Sequence, residues 1–138
     1  MNIKLLHPKA EPPRKANESD NGYDLKVTGI KRKSLFKVHY TFGIAVDFHI
    51  NGYAEVFSRS SIHKRFLWLS NGVGVIDSGY RGEWQAVFYK IPFLSKPYKI
   101  GEYACQALFK TRRNESFTIV KELSDSDRGV KGYGSSGI

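Results

Sequence analysis

A single cysteine, Cys105, stands in a chain of 138 residues. It excludes an internal disulfide and any cysteine-based metal cluster, and it fits a reducing, intracellular (cytoplasmic) setting. Histidine is scarce: His7, His39, His49 and His63 show no HExxH and no pair at metal-ligand spacing. None has the context of a serine triad. His49 alternates with Phe48 and Ile50 and reads as a strand residue, in the core or on the surface. A Walker loop is absent. No window approaches the length of a membrane span, and the opening MNIKLLHPKAEPPRK has no long apolar stretch, so neither a span nor a signal peptide is expected. Acidic residues are in deficit, 13 against 22 lysines and arginines, for a formal net charge of +9. That surplus suits nucleic acid, an anionic membrane or phosphate-bearing small molecules, or simply a solvated basic face. Its one short cluster, KRKSLFK at 31–37, reads as an exposed turn and strand edge.

What the chain does have is strand. VHYTFGIAVDFHI (38–50) alternates and is rich in β-branched and aromatic residues, and YAEVFSRS, VGVID, EWQAVFYKI, YACQALFKT and FTIVKEL are shorter runs of the same kind. Turn signals separate them at 51–52, 71–72, 78–79, 94–97, 99–101 and 112–116. Many short strands at close spacing predict an all-β sandwich or barrel in one domain. Only SSIHKRFLWLS (60–70) has room for a short helix, capped by Ser60 or Ser61. A polar, proline-containing loop (9–22) leads into YDL. After Leu123 the residues 124–138 form a polar arm without strand pattern.

Three stretches are suited to chemistry. SRSS (58–61) offers a guanidinium fork and two hydroxyls where a helix begins, which suits phosphate; alone, it also reads as an ordinary helix cap. NGVGVIDSGYRGEW (71–84) sets Asp77 three residues before Tyr80. A carboxylate beside an aromatic ring can orient a water or a sugar hydroxyl, while the plainer reading is a hairpin with Tyr80 in the core. The arm supplies Arg128, Tyr133, four glycines, Ser135 and Ser136. Glycines permit close backbone approach to an anion, yet the same composition describes a disordered terminus or an expression scar.

Taken together and in this order, these pieces resemble the trimeric deoxyuridine triphosphatase (dUTPase) family over essentially the whole chain. NGYDL (21–25), SRSS, NGVGVIDSGYRGEW, GEYACQALF (101–109) and DRGVKGYGSSG (127–137) are similar to its five motifs, and the opening IKLLHP is familiar from it too. The resemblance implies a jelly-roll-like β-sandwich, residues 1–123, that assembles as a homotrimer. An arm, residues 124–138, closes over the active site of a neighbouring subunit. It implies three-subunit sites, with motifs one, two and four from one chain, motif three from a second and the arm from a third. The implied reaction is Mg²⁺-dependent hydrolysis of dUTP to dUMP and pyrophosphate by water attack on the α-phosphorus. No membrane or nucleic-acid partner is implied.

By the same resemblance, Asp77 orients the attacking water and contacts the 3′-hydroxyl, and Tyr80 packs under the deoxyribose. Asn71 and the backbone of 72–76, with Gly74, Val75 and Ile76, read uracil. Ser60 faces the α–β bridge, where leaving-group charge develops. Arg59, Ser61 and Gln106 belong to the same substrate-binding set. Arg128, Ser135 and Ser136 reach the γ-phosphate from the arm, Tyr133 lies over the uracil, Gly134 is a further substrate-binding residue, and Asp24 holds magnesium through water. The chain departs from the family pattern at Ser58, Ile62, Gly79, Tyr103 and Lys131; Tyr103 stands where an arginine is usual. The related dCTP deaminases share the fold and an R-S-S segment. They need a glutamate where this chain has Val87 and an arginine where it has Lys64. A regulatory protein-binding role is the remaining alternative.

Overall fold

Alternation of apolar and polar residues builds ten strands among the residues that the computed structural model describes, 1–49 and 51–130. In chain order the strands are β1 (Asn2–Leu5), β2 (Tyr23–Lys26), β3 (Gly29–Lys33), β4 (Lys37–Thr41) and β5 (Ile44–Asp47). They continue as β6 (Gly52–Ser58), β7 (Leu67–Leu69), β8 (Gly74–Ile76), β9 (Gln85–Lys90) and β10 (Tyr103–Thr111). All pairings are antiparallel, in three sheets ordered β1-β5, β2-β10-β6-β8 and β3-β4-β9-β7. The expected all-β, jelly-roll-like sandwich is what the chain forms.

Inward positions recur with period two: Val38 and Tyr40, Ala54 and Val56, Ala86 and Phe88 are all buried. Trp84, Leu25, Ile44, Val27 and Cys105 complete the centre. The Tyr40 hydroxyl sits in this core because it donates to the Tyr98 carbonyl at 3.2 Å. Burial also drives the Cys105 thiol far above its ordinary pKa, which leaves it an inert packing group.

Three expectations are corrected. The run 38–50 is two strands, since the chain changes sheets at Gly43. There φ is +66°, and a Cβ would lie 2.9 Å from the Ala10 Cβ. Glu83 Oε1 accepts from the Gly43 amide at 3.0 Å, and Trp84 bridges the break by bonding Phe42 and Ile44. The segment 60–70 carries only a 3₁₀ helix, Ser60–Arg65. Arg59 occupies its N-cap position without a side-chain cap, so neither serine caps it, and Phe66 ends it in the left-handed region. Leu67 and Leu69 are buried on either side of exposed Trp68, a strand period within three residues. Finally, FTIVKEL (117–123) forms no strand: residues 110–130 are exposed throughout, and within one chain no sheet edge pairs with the segment. The basic cluster at 31–37 does form an exposed strand edge and turn, and β1 is an additional strand.

Candidate active site

Three of the similar motifs converge on one polar cleft of about 420 Å³. Register does this. Gln106 on β10 lies opposite Asp24 on β2 and opposite Phe57 on β6, so these three share the outer face of the sheet. Just beyond Phe57, strand β6 ends and delivers Arg59 and Ser60 to the same cleft. The loop residues Ser19, Asp20, Asn21 and Gly22 close its other side. Gly22 is a close approach: a Cβ there would lie 2.7 Å from Gln106 Oε1. Arg59 Nε donates to Asp24 Oδ1 at 2.9 Å, and the Asp24 side chain is only 14 % exposed. The cleft therefore couples a carboxylate, a guanidinium, a hydroxyl and an amide. Ser61 is half-buried in the 3₁₀ helix behind it and does not line it.

Asn71, Gly74, Val75 and Ile76 line a second cleft, of about 290 Å³, with Leu69, Ala86 and Val87 on its walls. Its hairpin turns on Gly72, at φ +67°, whose N–H donates to the Leu69 carbonyl at 3.1 Å; the Val73 N–H returns to the Asn71 carbonyl at 2.7 Å. Apolar walls around backbone donors and acceptors suit a flat heterocycle.

Asp77 follows β8 and is exposed on a third cleft, of about 860 Å³, with Tyr53, Lys110, Arg112 and Arg113. Its carbonyl accepts from the Tyr80 N–H at 3.0 Å, which closes the turn. Tyr80 is not a core residue: it is 44 % exposed, its hydroxyl donating to the Glu83 carbonyl. A Cβ on residue 82 would overlap the ring, so a larger residue there would displace Tyr80. Arg81, which sequence reasoning passed over, braces the turn by donating to the Ser78 carbonyl at 2.7 Å and to Asp47 Oδ1 at 2.6 Å. Its only signal was its place inside the third motif.

One chain does not unite these parts. The sheet order places Asp24 three strand spacings from β8. Asp24 is level with Phe57, whereas Ile76 is level with Ala54, three residues along β6. At about 4.8 Å per spacing and about 3.3 Å per residue, that is about 14 Å across and about 10 Å along the sheet. Arg128 is exposed in a short turn where the Gly129 N–H donates to the Ser126 carbonyl at 3.0 Å. Tyr133, Gly134, Ser135, Ser136 and Lys131 lie outside the described residues. At the positions that decide against deamination, Val87 is a half-buried strand residue opposite His39, and Lys64 is exposed.

The Tyr103 ring lies beside Arg59 of the first cleft, and Glu11 accepts from its hydroxyl. The Glu11 carboxyl is held below its ordinary range, chiefly by hydrogen bonds from Lys26 and Tyr103, and the Tyr103 phenol is pushed up by burial and by Glu11.

Comparison with known proteins covers nearly the whole chain. The dUTPase family model matches residues 8–137. The deoxyuridine 5′-triphosphate nucleotidohydrolase of Clostridium acetobutylicum is 33 % identical, over 100 % of this chain and 97 % of its own length. That of Escherichia phage T5 is 32 % identical, over 99 % of this chain and 98 % of its own. The dUTPase of Staphylococcus bacteriophage 80alpha, solved with dUPNHPP, shares the fold at a TM-score of 0.85 and 24 % identity, covering 99 % of this chain and 98 % of that one. With five motif-like segments in order, three of them gathered at one cleft, and a family match spanning nearly all its residues, the chain belongs to the dUTPase family.

Proposed function

We infer that the protein hydrolyses dUTP to dUMP and pyrophosphate, which keeps uracil out of DNA and supplies dUMP for dTMP synthesis. Family membership supports the substrate, and the observation that carries the mechanism is the division of the site among separate clefts. The triphosphate lies in the cleft of Asp24, Arg59, Ser60 and Gln106. Uracil enters the Asn71–Ile76 cleft of a second subunit, with its edge against backbone donors and acceptors. Tyr80 presents its ring to the deoxyribose. Asp77 holds a water in line with the α-phosphorus. The water oxygen forms the new P–O bond as the bond to the α–β bridging oxygen breaks, the water proton passes towards Asp77, and pyrophosphate leaves. Positioning supplies much of the acceleration, and Ser60 stabilises the charge that grows on the bridge.

Among the described residues, no group of three His, Cys, Asp or Glu side chains is placed to hold a metal by itself. Mg²⁺ needs no such cage, since it keeps several waters and binds largely through substrate phosphates. Asp24, with its partner Arg59 and neighbour Asp20, fits the role of a carboxylate that steadies those waters. When bound, the ion neutralises developing phosphate charge.

The assembly proposed is a homotrimer. Phe117, Ile119 and Leu123 are 92 %, 100 % and 87 % exposed, and such side chains are covered when a strand-forming segment adds to a neighbour's sheet edge. Beyond them, residues 124–138 serve as the arm that closes over a neighbour's bound nucleotide. No helix among the described residues is long and apolar enough to cross a membrane; the cytoplasm, where nucleotide pools are used, is the proposed compartment. Pyrophosphate release from dUTP tests the reading. The wild type turns over and Asp77→Asn loses most turnover while still binding dUPNHPP. Ammonia release from dCTP, or wild-type rates from Asp77→Asn, would refute it.

A further inference from the structure

A bulge aims one side chain of β10 at Arg59, a residue that lines the proposed phosphate cleft. Tyr103 lies opposite Lys26 and Cys105 opposite Leu25, so Ala104 is an extra residue on β10 with no partner on β2. In an unbroken ladder, period-two alternation would put Tyr103 on the inward face of Cys105 and Ala107, both fully buried. The bulge instead turns Tyr103 to the face of Lys26, Asp24 and Gln106, a re-aiming that bulges beside active sites commonly perform. There the ring meets two guanidinium groups. The Arg14 Cζ is 4.7 Å and the Arg59 Cζ 5.9 Å from its centroid, both within cation–π range. The ring is fixed at its far end, because the Tyr103 hydroxyl donates to Glu11 Oε1 at 2.6 Å while Lys26 holds Glu11 Oε2 at 2.8 Å. Arg14 is fixed at its backbone, which exchanges hydrogen bonds with Asp24 at 2.7 and 3.4 Å.

We propose that Tyr103 is a positioning residue for the triphosphate. Its ring holds Arg59 at the cleft and brings up Arg14, from the 9–22 loop, as a second guanidinium for the phosphate chain. Asp24 pairs with Arg59, and Glu11 is shared between Lys26 at 2.8 Å and Arg14 at 3.9 Å, so three cations face two carboxylates and one positive charge is left over for the phosphate chain. A tyrosine thus stands at a position usually filled by arginine without loss of cationic character, because Arg14 provides the charge from another segment. The proposal rests on the dUTPase reading above.

The test is calorimetric binding of dUPNHPP and of dUMP, with Mg²⁺, to the intact protein and to Tyr103→Leu, Tyr103→Phe and Arg14→Met. Losing both ring contacts in Tyr103→Leu is expected to weaken dUPNHPP about tenfold, with dUMP, which lacks the outer phosphates, nearly unchanged. Tyr103→Phe keeps the ring and is expected to recover most of that loss. Arg14→Met, on a side chain 64 % exposed and hence safe for folding, is expected to lower dUPNHPP affinity several-fold and to flatten its salt dependence. Equal weakening of both nucleotides by Tyr103→Leu, or unchanged dUPNHPP binding in both Tyr103→Leu and Arg14→Met, overturns the positioning role. A wild type that binds neither nucleotide overturns the functional reading itself.

Discussion

Substituting Gly22 by alanine separates the fold from the site within a single methyl group. A Cβ at this position would lie 2.7 Å from Gln106 Oε1, 3.3 Å from its Cδ and 3.5 Å from its Cβ. Ordinary contact requires about 3.4 Å or more, so the amide end must retreat by about 0.7 Å; amides swing readily about their side-chain torsions. Gly22 does not have a positive φ, so alanine adopts the backbone there without strain. The loss of glycine's freedom in the unfolded chain returns about 0.4–1 kcal/mol. Net stability should therefore stay within about 1 kcal/mol, or about 4 °C in Tm. Activity should not be spared: a displacement approaching 1 Å at a positioning group costs up to about 10²-fold, so kcat/KM for dUTP is expected to fall about 10–100-fold. Steady-state pyrophosphate release and thermal unfolding read the two effects separately. Gly22→Ala placed in a Gln106→Ala background should cost nothing further, because the clash has gone. A Tm drop above 8 °C would mean that backbone yields rather than the amide. Wild-type kcat/KM in Gly22→Ala alongside a crippled Gln106→Ala would show that Gln106 tolerates the shift, and would refute the reasoning.

Other perturbations address the arm and the charge pairs. Removing residues 124–138 should leave Tm nearly unchanged, since the described part of the arm, 124–130, is exposed and outside the core, while dUTP hydrolysis falls severely; normal turnover would make the arm a passive tail. The Glu102 carboxyl is held below its ordinary pKa of 4.5, first by the Arg65 guanidinium at 2.8 and 3.2 Å and then by the Lys99 N–H at 2.6 Å. A depressed carboxyl contributes stability that is complete above 4.5 and is lost as pH falls through the folded-state value. Glu102→Gln should thus lower Tm at pH 7 by a margin that shrinks below pH 4.5; a margin that grows in acid would contradict the pairing.

The strands legible in the sequence are those whose neighbours lie in the same chain. Ala54/Val56 and Ala86/Phe88 alternate because one face of each strand is core. FTIVKEL carries the same composition and forms nothing within one chain, since a strand exists only where an edge accepts its hydrogen bonds. The break at Gly43 was hidden because apolar residues run continuously while the chain passes from one sheet to another. β7 was hidden by its shortness and by the adjoining 3₁₀ turn. At the site, the sequence order of similar motifs pointed to Asp24, Arg59, Ser60 and Gln106, and register brings those four together. The Asp24–Arg59 ion pair and the face of Tyr103 were not legible: the first joins segments 35 positions apart, and the second depends on one unpaired residue in a ladder. Ser61, which belongs to the same motif as Ser60, does not line this cleft.

The central claim is that each site draws Asp77 and the Arg59–Ser60 pair from different copies of the chain. Complementation measures this directly. Asp77→Asn and Ser60→Ala proteins, each with little activity alone, are unfolded and refolded together in equal amounts, and pyrophosphate release from dUTP is followed. With head-to-tail sharing around a closed ring and random mixing, about a quarter of the sites receive an intact Asp77 and an intact Ser60, so activity should recover to about a quarter of wild type. A mixture no more active than its two components would place both residues in one chain's site and contradict the account.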